Sequence, residues 1–188
     1  MIERTLVLIK PEGMARALTG KVLSTFEDAG LKIVAIKTVR PDSKLAERHY
    51  PYTKEWAENV WSNTKKASEE HGNRFDETAE QTGRRVQGYL MNAITGKPII
   101  AIVLEGNEAV FVARKLLGAT EPRKADPSSI RGRYSFDSYD MADSAKRIIN
   151  NVAHASGDKD TAAKEIAIWF RKDEILEYER CDEHVMFS

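Results

Sequence analysis

The 188-residue chain has a single cysteine, no long apolar run and no excess of charge of either sign. Because Cys181 is alone, no intrachain disulfide can form, which excludes the small secreted domains that disulfides hold together. The 29 basic and 29 acidic side chains cancel, so a broad nucleic-acid footprint is excluded and any anion site must be a local cluster. The apolar N-terminal run, residues 5–9, is too short for a signal peptide or a membrane span. These absences predict a cytoplasmic protein with no nucleic-acid and no membrane partner.

Familiar motifs that bind nucleotides or metals are also missing. The sequence has neither the Gly-x-x-x-x-Gly-Lys-Ser/Thr loop nor the Gly-x-Gly-x-x-Gly fingerprint. No group of histidines, cysteines or carboxylates has the spacing of a metal site, so we expect no metal held by protein side chains. A nucleotide that binds this chain must therefore be recognised by other means.

The apolar segments predict a fold of the α/β (α+β) class. Residues 5–9, 31–39 and 98–104 are rich in β-branched and apolar side chains, as strands are, and a fourth short strand surrounds His154. With helices between them, the order along the chain is that of a ferredoxin-like βαββαβ domain. We expect a four-stranded antiparallel sheet covered by helices, together with a helical insertion.

The boundaries of the helices follow from capping residues. Thr19 is expected to cap the first helix and Asn107 a later one, whereas Gly30 and Gly118 are expected to end these helices. Residues 120–133 contain two prolines and predict a long loop.

The middle of the chain, about residues 53–96, is polar and predicts an addition to the basic fold. Apolar residues at helical spacing indicate two amphipathic helices, one with Trp56, Val60 and Trp61 and one with Val86, Leu90 and Ala93. The Gly72-Asn73 pair is expected to separate them. We expect one domain over residues 1–188.

A histidine in a short strand is followed eleven residues later by a glutamate. Strand alternation places Val152, His154 and Ser156 on one face. Residues 160–170 have helical apolar spacing, and Glu165 borders their apolar stripe, where a carboxylate needs a hydrogen-bond partner. A ring nitrogen of His154 is a suitable partner, because that bond fixes the tautomer and leaves the other nitrogen free to react. This pattern suggests a histidine nucleophile oriented by an acid.

Cationic and polar side chains occur where elements end. Lys10 ends the first strand, Arg114 lies beside a helical apolar stripe, Thr120 follows that helix, and Arg131 lies near the end of the long loop. Singly, such residues are usually solvated or ion-paired at the surface. Together they suggest a phosphate cradle, since arginine binds phosphate oxygens bidentately.

Several blocks, in the same order along the chain, resemble the nucleoside diphosphate kinase family. They are Glu3-Arg4-Thr5-Leu6-Val7-Leu8-Ile9-Lys10-Pro11-Glu12-Gly13, Gly30-Leu31-Lys32-Ile33-Val34-Ala35, Glu47-Arg48-His49-Tyr50, Ala113-Arg114-Lys115-Leu116-Leu117-Gly118-Ala119-Thr120, Ser129-Ile130-Arg131-Gly132, Asn151-x-x-His154-x-Ser156 and Glu165-Ile166-Ala167-Ile168-Trp169-Phe170. The resemblance covers most of the chain outside two longer segments, and the spacings between the blocks' functional residues agree with the family pattern.

The resemblance implies a ping-pong transfer of the γ-phosphate of a nucleoside triphosphate to a nucleoside diphosphate through a phosphohistidine. It implies that His154 is the nucleophile and that Glu165 holds its other ring nitrogen. Ser156 would be hydrogen-bonded nearby, and Tyr50 would lie next to the histidine and the transferring group.

The resemblance also implies how nucleoside di- and triphosphates bind. Arg114, Thr120 and Arg131 would bind the phosphates, and Lys10 and Asn151 would contact the ribose hydroxyls and the adjacent phosphate. Mg²⁺ would be bound through the nucleotide phosphates. Since members of the family assemble, a homo-oligomer is expected, either a hexamer or a tetramer.

The chain differs from compact members of that family by insertions at about residues 53–88 and 134–149. In the compact form an aromatic residue just after the tyrosine's helix stacks on the base. Trp56 and Trp61 are the candidates here, although we favour packing or subunit contacts as the role of these tryptophans. The second insertion borders the base-binding side of the site. For the first insertion we expect a helical arm that packs on a neighbouring subunit.

Two other functions stay open. A ferredoxin-like RNA-binding domain stacks bases on aromatic residues of its sheet, but residues 5–9 and 99–104 contain none. The other alternative is a catalytically weak or inactive kinase relative that serves as a nucleotide-binding or assembly module. Intact His154 and Glu165 argue against that alternative. His49 adjoins Tyr50 and could line the cleft, but a helix-surface position is the favoured interpretation.

Overall fold

A four-stranded antiparallel sheet forms the centre of the computed structural model, which describes residues 2–70, 72 and 74–186. The strands are β1 Ile2–Ile9, β2 Lys32–Val39, β3 Ile99–Asn107 and β4 Ala153–Ala155. Their order across the sheet is β2-β3-β1-β4, and each neighbouring pair is antiparallel. The predicted ferredoxin-like fold is therefore confirmed.

Ten α-helices are formed by the described residues. They are α1 Pro11–Ala15, α2 Thr19–Asp28, α3 Ser43–His49, α4 Lys54–Glu70, α5 Ala79–Ile94, α6 Ala109–Leu117, α7 Ile130–Tyr134, α8 Tyr139–Ser144, α9 Lys159–Trp169 and α10 Glu183–Met186. Within the described part of the chain, no helix is both long enough and apolar enough to cross a membrane.

Strand β1 is buried on both faces because helices cover both sides of the sheet. Leu6 and Leu8 pack in a cluster with residues of α3, α5 and α9, whereas Val7 and Ile9 pack in a cluster with residues of α2 and α6. Each such side chain contributes roughly 1.5–3 kcal/mol by leaving water. A strand buried on both faces needs the continuous apolar run that the sequence provides. Among the described residues, β1 therefore has no open face on which RNA bases could stack.

Strand β3 is longer than the sequence indicates. We expected Glu105 to end it and Asn107 to cap the next helix, but β3 continues to Asn107 and the cap position is Glu108, in the left-handed conformation. Glu105 stays in the ladder because Arg4 on β1 and Lys32 on β2 pair with its carboxylate at 2.7 and 2.9 Å. Its charge is thus satisfied by the neighbouring strands, which the local sequence does not reveal.

Two further local predictions are wrong. Thr19 is the first residue of α2 and its side chain does not cap the helix. The loop predicted for residues 120–133 contains a 3-10 turn and the start of α7, where the Ser129 side chain accepts a hydrogen bond from the Gly132 backbone. A Cβ on Gly132 would lie 2.0 Å from the Asp126 carbonyl oxygen, so the close approach of these backbones requires glycine.

The first insertion forms the predicted pair of helices, α4 and α5. Gly72 lies between them with a φ of 73°, as expected for a turn, while Asn73 lies outside the described residues. Thr78 begins α5 with a capping box closed by Gln81. The Trp61 indole donates to the Glu77 carbonyl at 2.7 Å, so this tryptophan stabilises the insertion itself.

Candidate active site

A cavity of about 520 Å³ opens beside β4, within the usual size range of ligand sites. Of the nine side chains singled out in the sequence, eight line it: Lys10, Tyr50, Arg114, Thr120, Arg131, Asn151, His154 and Glu165. The ninth, Ser156, is fully buried and lies behind Glu165. Residues that are distant along the chain are thus brought together at one place.

His154 is held in the middle of β4, opposite Leu8 of β1. Its Nε2 atom lies 3.1 Å from both carboxylate oxygens of Glu165. Among the described residues, its Nδ1 atom has no hydrogen-bond partner. The ring is therefore oriented by one nitrogen and keeps the other for chemistry in the cavity.

Glu165 lies in the buried stripe of α9, between Ala162 and Trp169. Ser156 Oγ donates to its Oε2 atom at 2.5 Å. Burial alone would raise the pKa of Glu165, but the hydrogen bond and charge of His154, with smaller contributions from its other partners, hold that pKa below its usual value. The carboxylate is therefore ionised and can stabilise positive charge on the imidazole.

The backbone before His154 departs from the predicted strand. Val152 has a φ of 70°, and the Ala153 amide donates to the Asn151 carbonyl at 2.8 Å, which is the pattern of a strained γ-turn. Val152 consequently packs in the core cluster with α2 and α6 and does not share a face with His154, contrary to our expectation. Such a conformation costs roughly 1–3 kcal/mol, so its surroundings must hold it.

Arg131 holds that strained backbone. Its Nε atom donates to the Asn151 carbonyl at 3.3 Å and its Nη2 atom to the Ala153 carbonyl at 2.8 Å. Nη1 donates to the Gly118 carbonyl at 2.8 Å. Since a guanidinium has five N–H donors, two remain beyond these three bonds. Burial and the nearby Arg114 lower the Arg131 pKa to about 10, and the group stays charged near neutral pH.

Lys10 and Asn151 form a buried polar pair. Lys10 Nζ donates to Asn151 Oδ1 at 2.7 Å, and Asn151 Nδ2 donates to the Thr120 carbonyl at 2.8 Å. Burial lowers the pKa of Lys10 to about 8, with Glu12 opposing the shift and Arg131 adding to it. This pair connects the end of β1 to the loop after α6.

Arg114 completes the cationic lining from the last turn of α6. Its side chain is exposed, and among the described residues it has no hydrogen-bond or ion-pair partner. The cavity lining thus contains two cations that are hydrogen-bonded within the fold, Lys10 and Arg131, and one that is not, Arg114.

His49 lies buried beside His154, so the helix-surface position that we favoured over the cleft is wrong. It is 5% exposed, its Nδ1 accepts a hydrogen bond from the Trp169 indole at 3.2 Å, and its ring centroid lies 4.9 Å from that of His154. Burial and His154 lower its pKa to about 3, so it is neutral. Its helical spacing from buried Ala46 was the available signal.

Three potential metal ligands meet at this corner, although no sequence spacing indicated them. The ligand atoms of His49, His154 and Glu165 lie within 4.8 Å of one another. Glu165 is shared by His154 Nε2 and Ser156, and His49 Nδ1 accepts from the Trp169 indole. Among the described residues, these ligand atoms are thus engaged in hydrogen bonds within the protein, whereas His154 Nδ1 and His49 Nε2 are not.

Neither predicted base-stacking tryptophan reaches the cavity. Trp56 packs near Tyr52 and Trp61 faces the loop before α5, and neither lines the cavity. The lining instead includes Tyr139 of the second insertion. Their place in the apolar stripe of an amphipathic helix is typical of packing residues.

A smaller cavity of about 290 Å³ lies between α2, β3 and the C-terminal segment. Its charged lining residues are paired with one another, Lys32 with Glu105 and Glu183, and Arg180 with Asp182. This pairing makes it a weaker candidate than the cavity at His154.

The sheet order and the cavity define a class: a ferredoxin-like domain that holds an acid-oriented histidine among cationic side chains. The family model described as nucleoside diphosphate kinase matches residues 3–70 and 60–175. A nucleoside diphosphate kinase of Pyrobaculum aerophilum is 42% identical over 183 residues, which are 94% of this chain and 99% of the relative. The chain belongs to the nucleoside diphosphate kinase family.

Solved structures agree with that assignment. An NDP kinase from Pyrobaculum aerophilum superposes with a TM-score of 0.90 at 39% identity, covering 94% of this chain and all of that one. A transition state mimic of the nucleoside-diphosphate kinase from Borrelia burgdorferi, with bound vanadate and ADP, gives a TM-score of 0.81 at 37% identity. It covers 97% of this chain and 95% of the Borrelia chain.

Proposed function

We propose that this chain acts as a nucleoside diphosphate kinase, transferring the γ-phosphate of a nucleoside triphosphate to a nucleoside diphosphate by a ping-pong mechanism. The observation that carries the proposal is the hydrogen bond from His154 Nε2 to buried Glu165 in a cavity lined by Arg114 and Arg131. A neutral imidazole with one nitrogen fixed is a competent nucleophile. Phosphoryl transfer otherwise needs mainly positioning and charge stabilisation.

In the first half-reaction the lone pair of His154 Nδ1 attacks the γ-phosphorus. A P–N bond forms, the bond to the β-phosphate oxygen breaks, and the nucleoside diphosphate leaves with that electron pair. Nε2 keeps its hydrogen and donates a hydrogen bond to Glu165, whose negative charge stabilises the positive imidazole. A second nucleoside diphosphate then attacks the phosphohistidine and reverses the steps.

The remaining lining residues bind and orient the phosphates. Arg131 has two N–H donors beyond those that hold the backbone, and exposed Arg114 can turn toward the charge that builds up. Burial raises the pKa of Tyr50, with Glu165 adding to the shift, so its hydroxyl is a neutral hydrogen-bond donor. Lys10 and Asn151 are placed for the ribose hydroxyls and the adjacent phosphate, and Thr120 for the phosphates.

The cavity does not fit a magnesium ion held by protein side chains. Glu165 is the one carboxylate among its lining residues. Its oxygens already accept hydrogen bonds from His154 and Ser156. We therefore propose that Mg²⁺ arrives on the nucleotide phosphates. When bound there, it neutralises phosphate charge.

We further propose that residues 1–188 form one domain, with insertions at about residues 53–88 and 134–149. A homo-oligomer, hexamer or tetramer, and a cytoplasmic location stay predictions. An inactive relative is the less favoured alternative, because the histidine, its acid and the cations all line one cavity.

The full-length chain, incubated with γ-labelled ATP, tests the proposed function. We expect an acid-labile, base-stable phosphoprotein that loses its label to a panel of nucleoside diphosphates, and parallel lines in double-reciprocal plots. ATP binding without transfer of label would support the inactive-relative alternative.

Glu165→Gln is expected to slow transfer more than it weakens binding. The amide keeps the shape but loses the charge that stabilises the imidazole, so we expect kcat to fall about 100-fold, with KM changing much less. Ser156→Ala, which removes one bond to Glu165, serves as the milder control. A rise in KM at constant kcat would contradict the orienting role.

Nucleotide binding is expected to weaken as the pH rises through about 8, the pKa of Lys10. Bound phosphate favours the charged lysine, so the protonated free protein binds best and affinity is lost on the alkaline side. We expect the KM for ADP to rise about tenfold from pH 7 to pH 9. In Lys10→Met this alkaline step should be absent, and its persistence there would assign it to another group.

A further inference from the structure

The loop that follows α6 contains a buried carboxylate that the proposed mechanism does not use. Glu121 comes directly after Thr120, and only 3% of its surface is exposed. Because Pro122 follows it, Glu121 has an extended backbone, with a φ of −87° and a ψ of 115°. Carboxylates in loops are normally solvated, since burying a charge is costly unless partners satisfy it. The burial of Glu121 therefore depends on its partners.

Those partners come from its own loop and from the second insertion. Oε1 of Glu121 accepts a hydrogen bond from the Tyr139 amide, in the first turn of α8, at 3.3 Å. Nη2 of Arg123 lies 3.1 Å from the same oxygen, and Nζ of Lys124 lies 3.0 Å from Oε2. The carboxylate thus joins the loop after α6 to helix α8.

A second contact joins the same two segments. Nη1 of Arg123 donates to Oδ2 of Asp140 in α8 at 3.3 Å, so this arginine bridges Glu121 and α8. Further along α8, Asp143 lies 3.9 Å from Nη1 of Arg85 in α5. Helix α8 therefore has polar contacts to the loop after α6 and to the first insertion.

The insertion that contains α8 is closed at its base. Asp137 accepts hydrogen bonds from both terminal nitrogens of Arg147, at 2.5 and 3.0 Å, and from the Asn150 amide at 2.6 Å. These bonds join the two ends of the insertion. Because its ends are fixed, α8 is a support to which the neighbouring loop can be fastened.

The loop after α6 reaches the phosphate side of the cavity through Thr120. The Thr120 carbonyl accepts from Asn151 Nδ2 at 2.8 Å, and Asn151 Oδ1 accepts from Lys10 Nζ at 2.7 Å. Thr120 lines the cavity, whereas Glu121 does not. Glu121 is therefore one residue removed from the wall of the cavity, in the segment that connects this wall to α8.

We propose that Glu121 is a positioning residue, which holds Thr120 at the phosphate side of the cavity by fastening the loop after α6 to the second insertion. The proposal rests on the proposed function. Glu121 acts through Thr120 and not on the nucleotide. Without the carboxylate, Thr120 has to be ordered when the nucleotide binds, and this ordering costs entropy. Nucleotide binding should therefore weaken more than the transfer step slows.

Glu121→Ala is expected to raise the KM for ADP about tenfold, while kcat stays within about twofold of the parent. Glu121→Gln keeps an oxygen that can accept from the Tyr139 amide, so we expect it to raise the KM less than Glu121→Ala does. Steady-state kinetics with the full-length chain measure both constants.

Glu105→Ala is the matched control, because Glu105 is also a shielded carboxylate with two cationic partners, Arg4 and Lys32. It lies opposite Arg4 near the start of β1, whereas Lys10 follows the end of that strand. Glu105→Ala should lower the free energy of unfolding, measured with denaturant, and leave the KM for ADP unchanged. This control separates a loss of stability from a loss of positioning.

A double-mutant cycle tests whether Glu121 acts through Thr120. Thr120→Ala is expected to raise the KM for ADP by itself, and adding Glu121→Ala should raise it little further, because the hydroxyl to be positioned is already gone. Arg123→Met removes the bridge to Asp140 but keeps Glu121, and we expect it to raise the KM about threefold.

An unchanged KM in Glu121→Ala would overturn the proposal, as would effects of Glu121→Ala and Thr120→Ala that multiply in the double variant. If Glu121→Ala does not fold, a parent-like KM in both Glu121→Gln and Arg123→Met would overturn it. A fall in kcat at constant KM would also contradict it. If the parent forms no phosphoprotein from γ-labelled ATP, the proposed function itself fails.

Discussion

His154→Ala is expected to abolish formation of the phosphoprotein and to lower kcat by at least about 10⁴-fold. The variant loses the nitrogen that we propose forms the covalent intermediate. His49 is not expected to replace it, because its ring is buried and its Nδ1 atom is bound by the Trp169 indole. Affinity for ADP should change little, since Lys10, Arg114 and Arg131 remain. Labelling with γ-labelled ATP and calorimetric titration with ADP measure the two effects.

His184→Ala is the matched control for that experiment, because His184 is an exposed histidine in α10. It should take up label as the parent does. Label retained by His154→Ala would contradict the assignment of the nucleophile.

Arg131→Met is expected to damage both stability and transfer. Methionine leaves the carbonyls of Asn151, Ala153 and Gly118 without the donors that Arg131 provides. Each unsatisfied buried group costs about 1–3 kcal/mol, so we expect unfolding free energy to fall by about 3 kcal/mol and kcat/KM by about 100-fold or more. Denaturant unfolding and steady-state kinetics test this prediction.

Arg114→Met separates the two roles, since this arginine is exposed and holds none of the described backbone. It should lose kcat/KM while its unfolding free energy stays within about 0.5 kcal/mol of the parent. Equal stability of the two variants would show that Arg131 does not hold the γ-turn at Val152.

Much of the fold follows from local sequence because β1 and β3 are buried on both faces along most of their length. Their continuous apolar runs are the pattern that a covered strand requires, and the β-branched residues of β2 are typical of strands. The spacing of Glu165 within the stripe of α9 likewise placed a carboxylate where it needed a partner. These signals lie within one element each and can be read without knowing what packs against it.

Other features depend on partners that are distant in the sequence. Glu105 remains in β3 because neighbouring strands supply cations. Val152 adopts its turn because the Arg131 side chain binds the carbonyls on either side of it and the Lys10 backbone amide donates to the Val152 carbonyl. Tyr139 reaches the cavity because the second insertion is closed on itself by Asp137. No local periodicity encodes such contacts.

The most direct test of the proposed mechanism is to identify the atom that carries the phosphoryl group. Because Glu165 holds Nε2 of His154 at 3.1 Å, we expect phosphorus to be bound to Nδ1 of His154 and to no other atom. NMR of the phosphoprotein with ¹⁵N-labelled histidine, followed by peptide mapping, measures this bond. Phosphorus on Nε2, or on any residue other than His154, would contradict the account.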